Sequence, residues 1–294
     1  MILLVTGCSG YVGSFLIKQL KKKYLVIGVD LVDSIFTDIK SNISELNLEK
    51  KITNEEVTVI NLASTKQDHN VKASEYYKLN IQDHKNFLKK IESFDCKRFI
   101  HISSVAALDG EFIKFNDNLN ADNSYRSTKY MQSRIIENWC KTKNIKFAEV
   151  LPSAIFDDEP RKFTNIGKLQ FLASYLPIIP KIDVKKSLTS MKKLISFIEY
   201  LVEKKDLNGN FLAIEYPVSS VTEIIKSQQK KPKKIVYVPF LKELLYLFSF
   251  LFLILWKITK IDFKLYPNRV SKLFRDTSYD WIKNINRDEY KNIK

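Results

Sequence analysis

The chain has 294 residues, a hydrophobic content of 45% and a formal net charge of +15, which suits one large α/β domain, or a nucleotide domain with a smaller cap, and excludes a disordered chain. Its three cysteines, Cys8, Cys96 and Cys140, have neither metal-ligand spacing nor a paired framework, so no metal site and no disulfide scaffold is expected, and they read as free thiols of a reducing compartment. The lysines are spread along the whole chain without a recognition motif, which argues against nucleic acid and leaves acidic substrates or an anionic membrane surface as electrostatic partners.

The apolar run at residues 2–5 passes directly into Thr6-Gly7-Cys8-Ser9-Gly10-Tyr11-Val12-Gly13. A buried strand turning through three glycines into a helix is a dinucleotide-binding opening. The glycines permit a tight turn, close approach of backbone to a pyrophosphate and close packing of helix on strand, and the helix N-terminus faces the phosphates. Met1 leads at once into this strand, with no basic region or cleavable apolar segment, so export is not expected. A second apolar run, residues 24–29, ends in Asp30, where a carboxylate accepts hydrogen bonds from adenosine ribose hydroxyls. This favours NAD. NADP is the lesser alternative, because its 2'-phosphate would meet like charge at Asp30, although Lys21, Lys22 and Lys23 lie close in sequence.

Strand and helix signals then alternate: a strand at 58–63, helix through 76–91, a strand at 98–104 ending in Ser103 and Ser104, a long helix at 125–141 and a strand at 147–151 broken by Pro152. This βαβ order predicts a doubly wound parallel sheet of the Rossmann type. His101 lies inside an apolar strand and reads as a satisfied core histidine. After Pro152 the pattern loosens around Pro177, Pro180 and Pro217. The expected division is a nucleotide domain at 1–156, with 157–294 mainly a smaller α/β substrate-binding cap from which some segments return to the first domain.

Tyr125 and Lys129 are four residues apart, neighbours on one helix face. A phenol with a pKa near ~10 is a poor base at neutral pH, but an ammonium and an oxidised nicotinamide both favour phenolate, so Tyr125 is the candidate base. Ser104, at the carboxyl end of its strand, is placed to hydrogen-bond the same substrate oxygen.

With the glycine turn, Asp30, Leu62-Ala63-Ser64, Asn80, Ser103-Ser104 and the Tyr125/Lys129 pair in this order, the chain resembles the extended short-chain dehydrogenase/reductase family, which includes nucleotide-sugar epimerases, dehydratases and reductases. The resemblance implies NAD held by Gly7, Gly10, Tyr11, Val12 and Gly13 at the pyrophosphate, Asp30 at the ribose and Asp38 with Ile39 at the adenine. Leu62, Ala63 and Ser64 would line the cofactor, Asn80 would brace the central strands, and Pro152 and Ser153 would close over the nicotinamide. It further implies that Tyr125 is the base, that Lys129 lowers its pKa and binds the nicotinamide ribose, and that Ser104 polarises the reacting oxygen. The chain departs from the family pattern at Ala107-Leu108-Asp109-Gly110 and lacks the proline common before the tyrosine. Arg161, Lys185 and Lys186 are candidates for holding a sugar diphosphate, against the alternative of solvated surface charges. A homodimer through helices at 80–91 and 125–140 is expected by the same resemblance.

Residues 244–256 are nearly all apolar apart from Ser249, with Lys257 and Lys260 following. As a helix these residues cover roughly 20 Å, short of a ~30 Å hydrocarbon core. Insertion at a membrane surface through an apolar helix near 241–258 and burial of that helix against the cap or a second subunit stay open. The stretch from Val238 to Phe274 resembles membrane-associated epimerases of polyprenyl-diphosphate-linked N-acetylhexosamine. The expected function is therefore an NAD-dependent 4-epimerase of a UDP-sugar or polyprenyl-diphosphate-linked sugar in cell-surface polysaccharide synthesis, cytoplasmic or at the inner membrane face. The alternatives are an NAD(P)-dependent reductase of a 4-keto deoxysugar nucleotide and a non-catalytic NAD(P)-binding scaffold.

Overall fold

The computed structural model describes residues 1–47, 55–65, 71–157, 167, 177–227, 233–259 and 267–293. The chain divides into two compact units, one of Met1–Ser153, Thr189–Ile214 and Lys283–Lys294, the other of Ala154–Leu188 and Glu215–Ile282.

In the first unit, β1 (Ile2–Thr6), β2 (Leu25–Asp30), β3 (Ile39–Lys40), β4 (Val57–Asn61), β5 (Cys96–Ile102), β6 (Lys146–Pro152) and β7 (Gly209–Ala213) form one sheet in the order β7-β6-β5-β4-β1-β2-β3. Every pairing is parallel. The strand order reverses between β1 and β4, and ligands of open α/β sheets bind outside the carboxyl ends of the strands at such a point. β1 and β4 are buried along their whole length, as strands covered on both faces must be, which is why they read as unbroken apolar runs.

Helices α1 (Tyr11–Leu20), α2 (Ala73–Tyr77), α3 (His84–Ile91), α4 (Ala106–Gly110), α5 (Ala121–Thr142) and α6 (Met191–Glu203), with the short helix Asp288–Lys291, belong to this unit. Between α2 and α3 the helix runs on through a π-helical turn, Lys78–Asp83. The Asn120 side chain caps α5 by accepting from the Asn123 N–H, satisfying a backbone donor that the helix itself leaves open. Phe87, Leu88 and Ile91 of α3 and Ile136 and Cys140 of α5 pack with Val57, Val59 and Phe99 of the sheet. The C-terminal segment adds Tyr290, fully buried, with its ring 5.3 Å from that of Phe197 on α6.

The second unit is built from short pieces. Lys185–Lys186 pairs with Ser219–Ser220 and Ile179–Pro180 with Ile235–Val236, over a small core of Ile179, Ile182, Val221 and Ile225. Its helix Leu241–Thr259 is reversed relative to a soluble amphipathic helix: Ser249 is buried, while Leu244, Leu247, Phe248, Phe250, Leu251, Ile254 and Leu255 are exposed. Among the described residues no helix is long and apolar enough to cross a membrane.

Candidate active site

The loop from β1 to α1 is shaped by glycines at two positions. Gly7 has φ +72°, a left-handed conformation, and a side chain there would come within 2.8 Å of the Ala63 nitrogen. At Gly13 a Cβ would lie 2.2 Å from the Gly7 carbonyl oxygen, so the first turn of α1 closes on the loop only because this atom is missing. α1 starts at Gly10 without a side-chain cap, and its first turn holds no acidic residue. Tyr11, Val12 and Gly13 form that turn, whose positive dipole end suits an anion.

Asp30 ends β2 beside this loop. Its carboxylate accepts the Ser9 N–H at 2.9 Å and the Val32 N–H at 3.0 Å. Asp38 faces elsewhere: it accepts the Gly28 N–H at 2.8 Å and pairs with Lys21 at 3.1 Å, and Ile39 beside it pairs with Val29 in the β2/β3 ladder.

Ser104 lies two residues past β5, its hydroxyl accepting the Ala106 N–H at 3.2 Å. The same side chain lies near enough to the phenol of Tyr125 on α5 to act on its ionisation. Burial pushes that phenol up, the Ser104 contact draws it down, and Tyr76 adds a small upward effect; the Tyr76 and Tyr125 rings meet edge to face at 6.1 Å. Lys129, one turn further along α5, is 1% exposed. Burial brings its ammonium down to about 7, opposed by the charge of Glu149. Its partner among the described residues is Gln132 Oε1, at 2.7 Å. The lysine thus faces Gln132, and the groups acting on the phenol are burial, Ser104 and Tyr76.

The flanking residues are tied to the same place. Leu62 donates its N–H to the Thr6 carbonyl at 3.0 Å, and the Ala63 carbonyl accepts from Gln132 Nε2 at 3.3 Å. Asn80, in the π-helical turn, accepts from the Ser64 hydroxyl and the Thr65 N–H at 3.2 Å each and donates to the Thr128 hydroxyl at 3.1 Å. It therefore connects the end of β4 to the helix that carries Tyr125 and Lys129. The Pro152 carbonyl accepts the Val105 N–H at 3.0 Å, and the Ser153 N–H donates to Thr189 at 2.8 Å.

Beneath these residues lies a polar row that sequence patterning did not show. Thr6, Asn61, His101 and Glu149 are register partners on β1, β4, β5 and β6, and all are buried. Thr6 donates to Asn61 Oδ1 at 2.6 Å, and Asn61 Nδ2 lies 3.1 Å from His101 Nδ1 and 3.1 Å from His84 Nε2. Burial holds His84 down at about 4 and His101 well below its ordinary range, so both rings are neutral. His101 is only half satisfied: its Nε2 has no partner among the described residues. Glu149 pairs with Arg134 at 3.0 Å.

The candidate sugar-diphosphate cations are not brought to these residues within the first unit. Lys185 and Lys186 belong to the second unit. Lys186 donates to the Lys272 carbonyl at 2.8 Å and to the Arg275 carbonyl, closing the C-terminal end of the helix Pro267–Phe274, and burial brings it down to about 8. Lys185 is exposed. Arg161 lies outside the described residues. Among the described residues no group of three or more His, Cys, Asp or Glu side chains is placed to hold a metal ion.

The family model of the NAD dependent epimerase/dehydratase family matches residues 3–166. Over 301 aligned residues the chain is 25% identical to the N-acetyl-alpha-D-glucosaminyl-diphospho-ditrans,octacis-undecaprenol 4-epimerase of Escherichia coli O157:H7, covering 95% of this chain and 87% of that protein. The UDP-glucuronic acid 4-epimerase of Bacillus cereus in complex with NAD superposes with a TM-score of 0.62 at 20% identity, over 81% of this chain and 88% of the other. The UDP-glucose 4-epimerase of Thermotoga maritima, solved with UDP-glucose, gives 0.60 at 16% identity, over 81% and 86%.

Proposed function

The chain belongs to the NAD dependent epimerase/dehydratase family, and from that premise we propose that it is an NAD-dependent 4-epimerase of a sugar carried on a diphosphate. The carrier is UDP or, as in the Escherichia coli relative, a polyprenyl diphosphate. The observation that carries this reading is the placement of the Ser104 hydroxyl where it favours ionisation of the buried Tyr125 phenol, with a buried lysine one turn along the same helix. A binding scaffold has no use for such a group.

The first unit suits the dinucleotide. An uncapped helix start faces a loop with no room for side chains at Gly7 and Gly13, which fits a pyrophosphate. Asp30 is oriented by two backbone N–H groups and accepts ribose hydroxyls through its remaining lone pairs. Lys129 has three donors and one acceptor among the described residues, leaving N–H groups for the second ribose. When bound, NAD+ supplies a hydride acceptor and a positive charge. The chain's own residues handle the proton: Tyr125 removes it from the 4-hydroxyl and returns it, Ser104 hydrogen-bonds the same oxygen, and Lys129 adds cationic charge that favours phenolate. Burial works against that phenolate and Ser104 favours it, and the positive charge of a bound nicotinamide would favour it further.

The exposed apolar helix Leu241–Thr259 is read as a membrane-surface element at the inner face of the cell membrane, where a lipid-linked sugar would be met. A homodimer through the helices at 80–91 and 125–140 belongs to the same reading.

Mass spectrometry of nucleotide released from the purified protein, followed by incubation with UDP-sugars and polyprenyl-diphosphate N-acetylhexosamines under proton NMR, tests the proposal. Retained NAD and interconversion of 4-epimers without added cofactor are expected. A stoichiometric requirement for NADPH would instead mark a 4-keto-sugar reductase.

A further inference from the structure

Lys129 Nζ meets Gln132 Oε1 at 2.7 Å because the two residues lie three apart on α5. An amide offers oxygen or nitrogen with nearly the same shape, and the wrong choice would set donor against ammonium. The far end of the amide decides which is presented. Gln132 Nε2 lies 2.8 Å from His84 Nε2 and 3.3 Å from the Ala63 carbonyl, so the nitrogen must be on that side.

His84 accepts at Nε2 only if its proton is on Nδ1. That nitrogen lies 2.7 Å from the Leu79 carbonyl, an acceptor that admits only an N–H. The π-helical turn Lys78–Asp83 brings carbonyl 79 to ring 84, and π-turns recur at functional sites. Asn61 also donates to His84 Nε2, its amide oriented by the Thr6 hydroxyl. The Leu79 carbonyl fixes the tautomer of His84, the bare Nε2 of that ring fixes the Gln132 amide, and the amide presents its oxygen to the lysine.

We propose that Gln132 is a positioning residue for the reaction: oriented by His84, it fixes Lys129 Nζ in place and supplies the acceptor that a buried ammonium requires. This rests on reading Lys129 as a cofactor-binding residue. It extends that reading to a glutamine and a histidine outside the set assigned to cofactor and substrate. A charge-assisted hydrogen bond is about twice as strong as a neutral one, and an unpaired buried charge is strongly disfavoured. Among the described residues, the titratable groups whose charge couples to the lysine are His84 from α3, His101 from β5 and Glu149 from β6. Of these Glu149 stabilises the ammonium, and the two histidines do not compete for a proton because burial keeps them neutral.

The test is an NMR titration of protein labelled at lysine 13Cε, with the Lys129 resonance assigned through Lys129→Arg. It needs no substrate or cofactor. Gln132→Met removes the acceptor at similar length and should lower the proton affinity of Lys129 about tenfold. His84→Phe should shift it in the same direction by less, and Gln132→Glu should raise it. In turnover, Gln132→Met should lower kcat with little change in KM and move the acidic side of the pH profile, with Gln132→Glu recovering part of the loss. The glutamate and phenylalanine variants carry the test if the methionine variant does not accumulate. An unmoved Lys129 titration in both Gln132→Met and His84→Phe, or in both Gln132→Glu and His84→Phe, would overturn the proposal. Wild-type protein that holds no nucleotide and converts no sugar would overturn the assigned function, and the titration would still decide the Gln132 link by itself.

Discussion

The backbone N–H of Ser9 donates to the carboxylate of Asp30 at 2.9 Å, tying the glycine turn to the end of β2. With the Val32 N–H on the other oxygen, the carboxylate is oriented before any ribose arrives, which limits the ordering cost of binding. Hydrogen bonds to a charged group contribute about 1.5–3 kcal/mol. Asp30→Ala should therefore weaken NAD binding at least tenfold by calorimetry. It should also narrow the preference over NADP, because the like charge facing a 2'-phosphate is removed. Unchanged affinity for both nucleotides would place the ribose elsewhere.

Gly13→Ala sets a methyl 2.2 Å from the Gly7 carbonyl oxygen and 2.8 Å from the Cys8 Cα. Both are backbone atoms, so relief requires the loop or the helix to move, at about 1–3 kcal/mol for overpacking of this kind. The expected outcome is a lower melting temperature together with loss of co-purifying nucleotide. Retention of nucleotide at wild-type stoichiometry would contradict the proposed pyrophosphate position.

Lys129 supplies a pH signature of its own. Its proton affinity is low in the folded chain, near 7, against 10.5 in the ordinary state. Below pH 7 the ammonium is present in both folded and unfolded protein, and burying it costs the fold on the order of 5 kcal/mol. Between about pH 7 and 10.5 the unfolded chain binds more protons, so stability rises with pH and the cost fades. Lys129→Met should be more stable than wild type at pH 6 by several kcal/mol in urea unfolding, and the difference should shrink as pH rises. The same variant should lose turnover. A constant difference across pH would mean that the lysine is not buried as a charge.

Sequence patterning was most legible where one side chain faces one periodic environment. The buried strands, the glycine turn and the four-residue spacing of Tyr125 and Lys129 are local signals, and α5 runs only a few residues beyond the predicted 125–141 at its N-terminal end. β3 was missed because two residues carry no period, and β7 because Gly209 and Asn210 open a short apolar run. Gln132 was invisible for a different reason. Its orientation is set by His84, 48 residues earlier, through a ring tautomer that no spacing rule encodes. Lys186 read as a cation for a sugar diphosphate or as a solvated surface charge, yet its ammonium closes a helix end 86 residues later in sequence.

The helix Leu241–Thr259 makes the last prediction. Leu247 and Phe250 are each 56% exposed and Ile254 is 55% exposed, an apolar surface that a soluble helix would turn inward. At a bilayer surface each such side chain gains up to about 1.5–3 kcal/mol on leaving water, and a strongly basic chain is attracted to anionic lipid. Leu247→Glu with Phe250→Glu should reduce co-flotation with phosphatidylglycerol vesicles at least tenfold, removing two apolar anchors and adding two repelled charges. Neither side chain supports the core, so the double variant should fold and convert a water-soluble UDP-sugar, if that is a substrate, at the wild-type rate. Wild-type protein that fails to float with these vesicles at low salt would remove the membrane reading, and a second copy of the chain would then be the cover to look for by sedimentation velocity.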